Sequence, residues 1–175
     1  MIDSLITNKT RIKLLLRFFL NSDSRSYLRR LESEFGESTN AIRLELNRFE
    51  EAGLLVSSMD KNKKMFRANT RHPLFNDIHS IVKKSMGLDQ LIEKIIDKLG
   101  NVSRAYITGE VARGLDHPEL DVVLVGNEID KNYLDTLISE AEGLIKRSIK
   151  CLILRCDEEN KYLTEYPEAF LLWDE

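Results

Sequence analysis

The chain has 175 residues, 42% hydrophobic and 31% charged, which suits one ordinary domain or two small ones with packed cores. No apolar run approaches the ~20 residues of a membrane span, and the opening MIDSLITNKTRIK lacks the basic end, apolar stretch and cleavage site of an export signal. We therefore expect a cytoplasmic protein with no membrane partner. Cys151 and Cys156 have neither CxxC spacing nor a nearby histidine, which favours buried thiols over a metal site.

The formal charge of −3 is unevenly distributed along the chain. Residues 1–75 hold 14 Lys+Arg and 9 Asp+Glu, whereas the other 100 residues hold 12 and 20. A basic half joined to an acidic half suggests that only the first half meets a polyanion, although a solvated surface explains the same excess.

The segment NKTRIKLLLRFFLN predicts a helix with more apolar surface than one core face needs. Its first apolar stripe has the i, i+3, i+4, i+7 spacing and consists of Ile12, Leu15, Leu16 and Phe19. A second apolar side consists of Leu14, Phe18 and Leu20. This second side predicts either contact with a partner subunit or complete burial within one chain.

Two short helices joined by a tight turn follow, in the order of a helix-turn-helix unit. SDSRSYLRRLESEFG predicts the first, with Gly36 as its stop. NAIRLELNRFEEAGLL predicts the second, with Ser38 or Thr39 as its N-cap and Gly53 as its end.

The helix predicted for NAIRLELNRFEEAGLL is the third in the chain, and at 100° per residue it has two distinct faces. Its core face consists of Ile42, Leu46 and Phe49, and its outer face of Asn40, Arg43, Asn47 and Glu51, with Leu44 among them. Asn and Arg can hydrogen-bond adenine and guanine edges bidentately, and Leu can contact a thymine methyl. The alternative to DNA contact is a polar stripe that faces solvent. We would prefer that interpretation if the helix had no hairpin or helix-turn-helix around it.

The next segment, LLVSSMDKNKKMFRAN, predicts a β-hairpin with a basic tip. Its cations, Lys61, Lys63, Lys64 and Arg67, can lie along a phosphate backbone. A helix-turn-helix followed by a glycine and a basic hairpin has the order and spacing of a winged helix.

The residues from YLRRLESEFG to RANTRHPLF resemble the ArsR/MarR-like winged-helix transcription regulators. That resemblance implies a homodimer on double-stranded DNA, with the third helix in the major groove and the wing on the backbone or minor groove. It does not carry metal sensing, since this half has no cysteine and only His72 near its end.

A helical connector, HPLFNDIHSIVKKSMGLDQLIEKIIDKLG, predicts a helix interrupted near Gly87 and restarted by an Asp89 cap. We expect His72 and His79 to be surface or packing residues. The predicted domains are a winged helix at 1–72, the connector at 73–100 and a small mixed-sheet α/β domain at 101–175, an α+β fold overall.

The acidic half alternates strands with a helix. SRAYITG, ELDVVLVG and SIKCLILRC predict strands, the last two of them buried, and YLDTLISEAEGLIKR predicts an amphipathic helix. YITGEVARGLDHPELDVVLV resembles the motif of the nucleotidyltransferase superfamily with the polymerase-beta-like fold. The matching positions are Gly109, Ala112, Arg113, Gly114 and Asp121.

Two departures from that motif concern catalysis. The family's Gly-Ser serine is Glu110, and the second aspartate of Asp-x-Asp is Val123. The family uses two such carboxylates and a third from a neighbouring strand to hold two Mg²⁺ ions, and IKCLIL supplies no third. Asp116 and Glu119 are possible substitutes on the preceding loop. We therefore predict a pseudoenzyme without metal or cofactor, in which Gly109, Glu110, Arg113, Gly114 and Asp121 form a possible nucleotide-binding remnant.

The winged helix, the connector and the Gly-x-x-Ala-Arg-Gly loop together resemble bacterial and archaeal regulators fused to a nucleotidyltransferase-like domain. The sequence thus predicts a homodimeric DNA-binding transcriptional regulator, dimerising through the first helix or the connector. Its second domain would sense a nucleotide or small molecule, or support dimerisation. The DNA-contacting residues would be Ser38, Thr39, Asn40, Arg43, Asn47, Lys61, Lys63, Lys64 and Arg67. An active Mg²⁺-dependent nucleotidyltransferase and a winged-helix module for protein interaction are the alternatives.

Overall fold

The computed structural model describes residues 2–175, an α+β fold that divides into two compact units. The first unit ends at Ser85, and the second is Met86–Glu175. Within the described residues, no helix is both long and apolar enough to cross a bilayer. Each unit has its own buried hydrophobic side chains and its own sheet.

The first unit contains four helices and a small antiparallel sheet. In chain order its elements are α1 (Lys9–Leu15), β1 (Arg25–Ser26), α2 (Leu28–Phe35), α3 (Thr39–Glu51), β2 (Leu55–Asp60), β3 (Lys63–Ala68) and α4 (Phe75–Ser85). A 3-10 turn at Ile2–Ser4 precedes α1, and a π-helical turn at Leu16–Leu20 continues it. The strand order is β1-β3-β2, and β1 is the element of this unit that the sequence pattern did not predict.

The second apolar side of the first helical segment is buried within its own chain. Leu14 and Phe18 are 0% exposed and Leu20 is 1% exposed. They therefore leave no apolar face for another subunit, and the predicted dimer contact through the first helix is wrong for this side. Complete burial within the chain, the other prediction, is correct.

Local signals set the ends of the two helices that follow. Ser38 is the N-cap of α3, and its hydroxyl accepts a hydrogen bond from the Ala41 amide at 3.2 Å. Gly36 caps the C-terminus of α2, and Gly53 lies one residue beyond the C-cap of α3. The hairpin between β2 and β3 closes through a two-residue turn at 61–62, as its position in the sequence predicted.

The predicted connector divides between the two units at Ser85 and Met86. Its first part is α4, and its second part comprises α5 (Leu88–Leu91), a π-helical turn (Ile92–Ile96) and α6 (Asp97–Leu99). Gly87 has a φ of +80° and separates the two parts, as predicted. Asp89 is not the N-cap, because Gly87 occupies that position and Asp89 lies in the first turn.

The second unit has one mixed sheet with the strand order β6-β5-β4-β7. Its elements are β4 (Val102–Thr108), α7 (Gly109–Ala112), β5 (Glu119–Gly126), α8 (Lys131–Ile145), β6 (Ser148–Leu154), α9 (Glu159–Glu165) and β7 (Phe170–Asp174). β5 pairs antiparallel with β4 and parallel with β6, while β4 pairs antiparallel with β7.

The position of each strand in the sheet explains its burial. β5 has a neighbour on both sides and is buried from Val122 to Gly126, as its apolar run predicted. β6 lies at an edge, where Lys150 and Leu152 are exposed, so the prediction of a buried third strand is wrong. The sequence pattern also missed α9 and β7, which lie in the last twenty residues.

Candidate functional sites

The two faces of α3 are those that the helical spacing predicted. Ile42 is 0% exposed and Leu46 is 2% exposed, whereas Asn40, Arg43 and Asn47 lie on the surface. Leu44, on the same outer side, is 52% exposed. The helix therefore presents to solvent a polar surface with one apolar side chain.

A basic groove of about 610 Å³ runs between the helices α2 and α3 and the β2–β3 hairpin. Its cationic lining consists of Arg29, Arg43, Lys63 and Lys64, and its apolar lining of Tyr27, Leu28, Leu46 and Phe66. Asn47 and Asn62 complete it, and no carboxylate lines it within residues 2–175. A concave surface with four cations and no anion favours a negatively charged ligand.

The structure brings some of the predicted DNA-contacting residues together and leaves others apart. Arg43, Asn47, Lys63 and Lys64 share the groove. Arg67 lines a different depression of about 460 Å³, on a surface that also includes Arg71. The remaining members of the predicted set, Ser38, Thr39, Asn40 and Lys61, lie outside the lining of the groove.

The hairpin lysines differ in how they are engaged within the chain. The Nζ of Lys63 lies 4.4 Å from the ring centroid of Tyr27, a cation–π contact that holds it over the groove. Lys64 forms an ion pair with Glu50 at 2.6 Å, which lowers the pKa of that carboxyl. Lys61 is exposed at the turn with a φ of +54°. Lys61 and Lys63 therefore have more charge to offer a ligand than Lys64.

Sequence reasoning missed Tyr27 and Arg29 as groove residues. Tyr27 precedes α2 and Arg29 lies in its first turn, whereas the apolar spacing of this segment predicts only the helix. Arg30 pairs with Glu34 one turn later at 2.8 Å, and Arg29 beside it is exposed. The adjacent arginines at 29 and 30, in the basic half of the chain, were the available signal.

Glu45 is the second residue that the pattern did not single out. It is 2% exposed on α3 and forms ion pairs with Arg11 at 2.8 Å and with Arg48 at 2.6 Å. Asn8 also donates to it at 3.2 Å. The hydrogen bond from Arg11 is the largest influence on the pKa of Glu45 and lowers it, outweighing burial, which raises it. These contacts fix α3 against α1 and so set the orientation of its outer face.

In the second unit, Gly109 lies close to Asp121, the one aspartate of the Asp-x-Asp pair that this chain keeps. Gly109 follows β4 with a φ of +69°, and a Cβ there would overlap the carboxylate of Asp121. Asp121 lies opposite Thr108 in the β4–β5 register. Burial raises the pKa of Asp121, with a further increase from the nearby Glu119. The structure therefore places Gly109 and Asp121 together.

The position of the second motif aspartate lies in an apolar cluster. Val123 is 1% exposed and packs with Tyr106 and Val125, against which Tyr162 and Leu163 of α9 are also packed. α9 thus covers the part of the sheet face where a second carboxylate would project. An ionised group at residue 123 would lose its hydration there, so the substitution by valine agrees with its surroundings.

A cation stands beside Asp121 on the neighbouring strand. Lys150 is the register partner of Asp121 on β6, and its Nζ lies 2.7 Å from Glu119. Asp116 pairs with Arg147 at 2.7 Å, so both possible substitute ligands have cationic partners. Within residues 2–175, no group of three or more His, Cys, Asp or Glu side chains could hold a metal ion.

Ion pairs of Arg113 hold the loop of residues 109–114 in place. Arg113 pairs with Glu110 at 3.1 Å and with Glu168 at 3.4 Å, which connects the loop to the segment before β7. Gly114 is buried behind it. Arg113 therefore has two carboxylate neighbours that compete with a phosphate for its guanidinium.

α9 is fixed over the sheet by a bidentate ion pair. Both Glu159 oxygens accept from Arg104 at 2.6 Å, and the Tyr106 hydroxyl donates to the same carboxylate at 2.6 Å. Burial, followed by the bond to Glu159, raises the pKa of Tyr106 to about 12.

Cys151 is a half-buried thiol whose pKa burial raises to about 12, and Cys156 is exposed rather than buried as predicted.

No protein-family model and no curated protein matches this chain. Among the solved structures that resemble it are three that each have a TM-score of 0.39. A chain from the complex of the tri-AMPylated HEPN toxin and MNT antitoxin of Shewanella oneidensis is 10% identical, covering 53% of this chain and 73% of its own length. AF1382 from Archaeoglobus fulgidus is 17% identical, with 48% and 96% covered. A candidate nucleotidyltransferase from Sulfolobus solfataricus is 20% identical, with 55% and 86% covered. Similarity at this level assigns no activity.

Proposed function

We propose that this chain is a transcriptional regulator that binds double-stranded DNA through α3 and the β2–β3 hairpin. The observation that carries the proposal is the basic groove between these two elements, with four cations and no carboxylate within the described residues. The order of helices and strands from α1 to β3 is that of a winged helix, which supports the same interpretation.

In this arrangement, α3 enters the major groove and the hairpin lies over the adjacent backbone or minor groove. The major groove is about 12 Å wide, which admits one α-helix. The sugar-phosphate strand between the two DNA grooves then follows the basic groove, where Arg29 and Lys63 lie. Asn40, Arg43 and Asn47 would contact base edges, while Ser38 and Thr39 at the N-terminus of α3 would face a phosphate.

We further propose that Met86–Glu175 is a nucleotidyltransferase-like domain without transfer chemistry, serving regulation, ligand sensing or dimerisation. The apolar surroundings of Val123 and the cation beside Asp121 support this. Mg²⁺-dependent transfer of label from a nucleoside triphosphate, abolished in Asp121→Ala, would overturn this half of the proposal.

The test of DNA binding is selection of duplexes from a random pool at two salt concentrations, followed by affinity measurements on variants. Arg43→Ala is expected to relax sequence choice by ~1–3 kcal/mol per lost bidentate contact. Lys63→Ala is expected to weaken all sequences alike and to reduce the salt slope by about one.

Lys161→Ala, which removes an exposed charge from α9 in the other unit, is the matched control and is expected to change neither quantity. An unchanged salt slope in Lys63→Ala would remove the hairpin from the interface. Absence of duplex binding by the unaltered chain even at low salt would reject DNA binding and favour a protein partner for the same groove.

A further inference from the structure

The depression of about 460 Å³ that contains Arg67 lies on the outer face of the small sheet. Side chains alternate between the two faces of a strand, and Phe66, the residue before Arg67, is 5% exposed in the core. Arg67 therefore projects to the solvent side of β3. The polar lining of the depression consists of Ser57, Ser58, Arg67, Asn69, Thr70 and Arg71, without a carboxylate among the described residues.

The arginines of this face lack anionic partners within the chain. Arg25 and Arg67 are register partners on β1 and β3, so their side chains leave the same face of the sheet. Like charges directly opposite each other on paired strands repel. Among the residues that the structure describes, no carboxylate pairs with Arg25, Arg67 or Arg71. An anion from outside the chain would relieve this repulsion.

The turn after β3 fixes the backbone of Arg71 beside the depression. The side-chain amide of Asn69 donates to the Gly53 carbonyl at 2.8 Å, and its Oδ1 accepts from the Arg71 amide at 3.2 Å. The His72 amide donates to the Asn69 carbonyl at 3.0 Å. Because these bonds order the turn before a ligand arrives, binding loses less conformational entropy.

The chemistry of the lining suits an anion that is rich in phosphate oxygens. The guanidinium groups can each donate two hydrogen bonds to a phosphate, and the exposed hydroxyls of Ser58 and Thr70 can donate to further oxygens. The Ser57 hydroxyl is already bonded to Glu50. The lining has no aromatic side chain among the described residues, so it offers no stacking surface to a nucleobase.

We propose that this depression binds a polyphosphate group, either free or at the end of a nucleotide, through Arg67 and Arg71 with Arg25 beside them. The phosphate groups are recognised and the base is not. The observations that carry this are the unpaired arginines on one face, the ordered turn and the hydroxyl lining. The inference does not depend on DNA binding by the basic groove, which lies between α2, α3 and the hairpin.

The first experiment is calorimetric titration of the full-length chain with inorganic tripolyphosphate. Arg67→Gln and Arg71→Gln are each expected to raise the dissociation constant about tenfold, because each removes a charge-assisted contact with phosphate. Arg155→Gln is the matched control, since it removes a guanidinium that is 68% exposed in the other unit, and it is expected to leave binding unchanged. In the nucleotide arm, the triphosphates of adenosine and guanosine are expected to bind this depression with equal affinity.

The second experiment locates the ligand by amide NMR. Tripolyphosphate is expected to shift the amides of residues 67–71 and to leave those of residues 62–64 in the basic groove unchanged. Shifts confined to residues 62–64, or equal affinity of the unaltered chain and both glutamine variants, would overturn the inference. So would shifts of residues 67–71 with duplex DNA but not with tripolyphosphate, because the ligand would then be a nucleic-acid backbone.

Thermal melts separate a binding role of Arg67 from a structural one. Tripolyphosphate is expected to raise the melting temperature of the unaltered chain, and to raise that of Arg67→Gln less. Without polyanion, Arg67→Gln is expected to melt no lower than the unaltered chain, because repulsion from Arg25 is removed. A melting temperature lowered equally with and without tripolyphosphate would make Arg67 a structural residue and contradict the proposal.

Discussion

Gly109 and Asp121 show how one backbone position limits the chemistry of a neighbouring side chain. Gly109 has a φ of +69°, a conformation that L-residues with a Cβ adopt rarely, and a Cβ there would overlap the Asp121 carboxylate. The loop can therefore approach the strand only with glycine at residue 109. Close approach, rather than catalysis, is enough to explain why glycine and aspartate occur together here.

Gly109→Ala is accordingly expected to lower the free energy of unfolding of Met86–Glu175 by about 1–3 kcal/mol, through backbone strain and overlap with Asp121. Gly143→Ala is the matched control, because Gly143 lies in α8 with open space around its missing Cβ. It is expected to raise stability by about 0.5–1 kcal/mol. Urea denaturation of both variants measures the difference, and equal effects would contradict the proposed strain.

The same pair permits a second check of the physical cause. If overlap with the carboxylate contributes to the cost at residue 109, the cost of Gly109→Ala is smaller in an Asp121→Ala background than in the unaltered chain. The strain at φ +69° remains in both backgrounds, so the cost does not vanish. A cost that is identical in the two backgrounds would assign the whole effect to the backbone.

Between elements, the contact of α1 with α3 depends on Glu45. A carboxylate that is 2% exposed requires ionic partners, and Arg11 and Arg48 supply them at 2.8 and 2.6 Å. The hydrogen bond from Arg11 holds the pKa of Glu45 below its ordinary value. Glu45 therefore stabilises the fold as an anion, with its full contribution above the ordinary glutamate pKa of about 4.3.

Glu45→Gln is expected to destabilise the chain by about 2–3 kcal/mol at pH 7, because two guanidinium groups lose their anion. Since the folded pKa is lowered, the difference from the unaltered chain shrinks as the pH falls below about 4.3 through the folded pKa. Glu51→Gln, at an exposed position of the same helix, is the control. Urea denaturation across this pH range is the measurement, and a difference that persists at low pH would exclude the ionic explanation.

The sequence predicted those elements whose apolar period is long or whose ends carry a local signal. The spacing of Ile42, Leu46 and Phe49 in α3 is an example, and so is the Ser38 cap. The basic hairpin and the central strand β5 were predicted for similar reasons. The sequence also grouped Gly109 and Asp121 in one possible nucleotide-binding remnant, because the motif contains both. These features depend on neighbours close in the chain.

The features that the sequence did not predict depend on tertiary contacts. Glu45 resembles a surface residue until Arg11, 34 residues earlier, is seen beside it. β7 joins the sheet through β4, some 65 residues away, and its residues have no pattern that requires this. The edge position of β6 likewise follows from strand order, which its apolar composition does not reveal.

At the scale of the whole molecule, charge follows the division into units. Residues 1–85 hold 16 Lys+Arg and 10 Asp+Glu, whereas residues 86–175 hold 10 and 19. The net charges of +6 and −9 explain how a chain with an isoelectric point near 5.7 can still offer a basic groove. The field at the basic groove is set mainly by the charges close to it, since charges farther than about 10 Å away are largely screened at 0.1 M salt.

The position of the boundary leads to a prediction about folding. α4 lies in the first unit, where Phe75 is 8% exposed with its ring centroid 5.8 Å from that of Phe19, and Val82 is 1% exposed. His79 is also within 2.6 Å of the Phe19 carbonyl, in keeping with a packing residue. A fragment that ends at residue 72, the boundary predicted from the sequence, lacks all three of these contacts.

A fragment of residues 1–85 is therefore expected to fold alone, whereas a fragment of residues 1–72 is expected to be largely unfolded. Removing two buried side chains costs about 3–6 kcal/mol, which is comparable to the total stability of a small domain. Amide NMR spectra of the two fragments, compared with that of the full chain, provide the measurement. If residues 1–72 reproduced the full-chain signals of α3 and the hairpin, α4 would be dispensable for the fold.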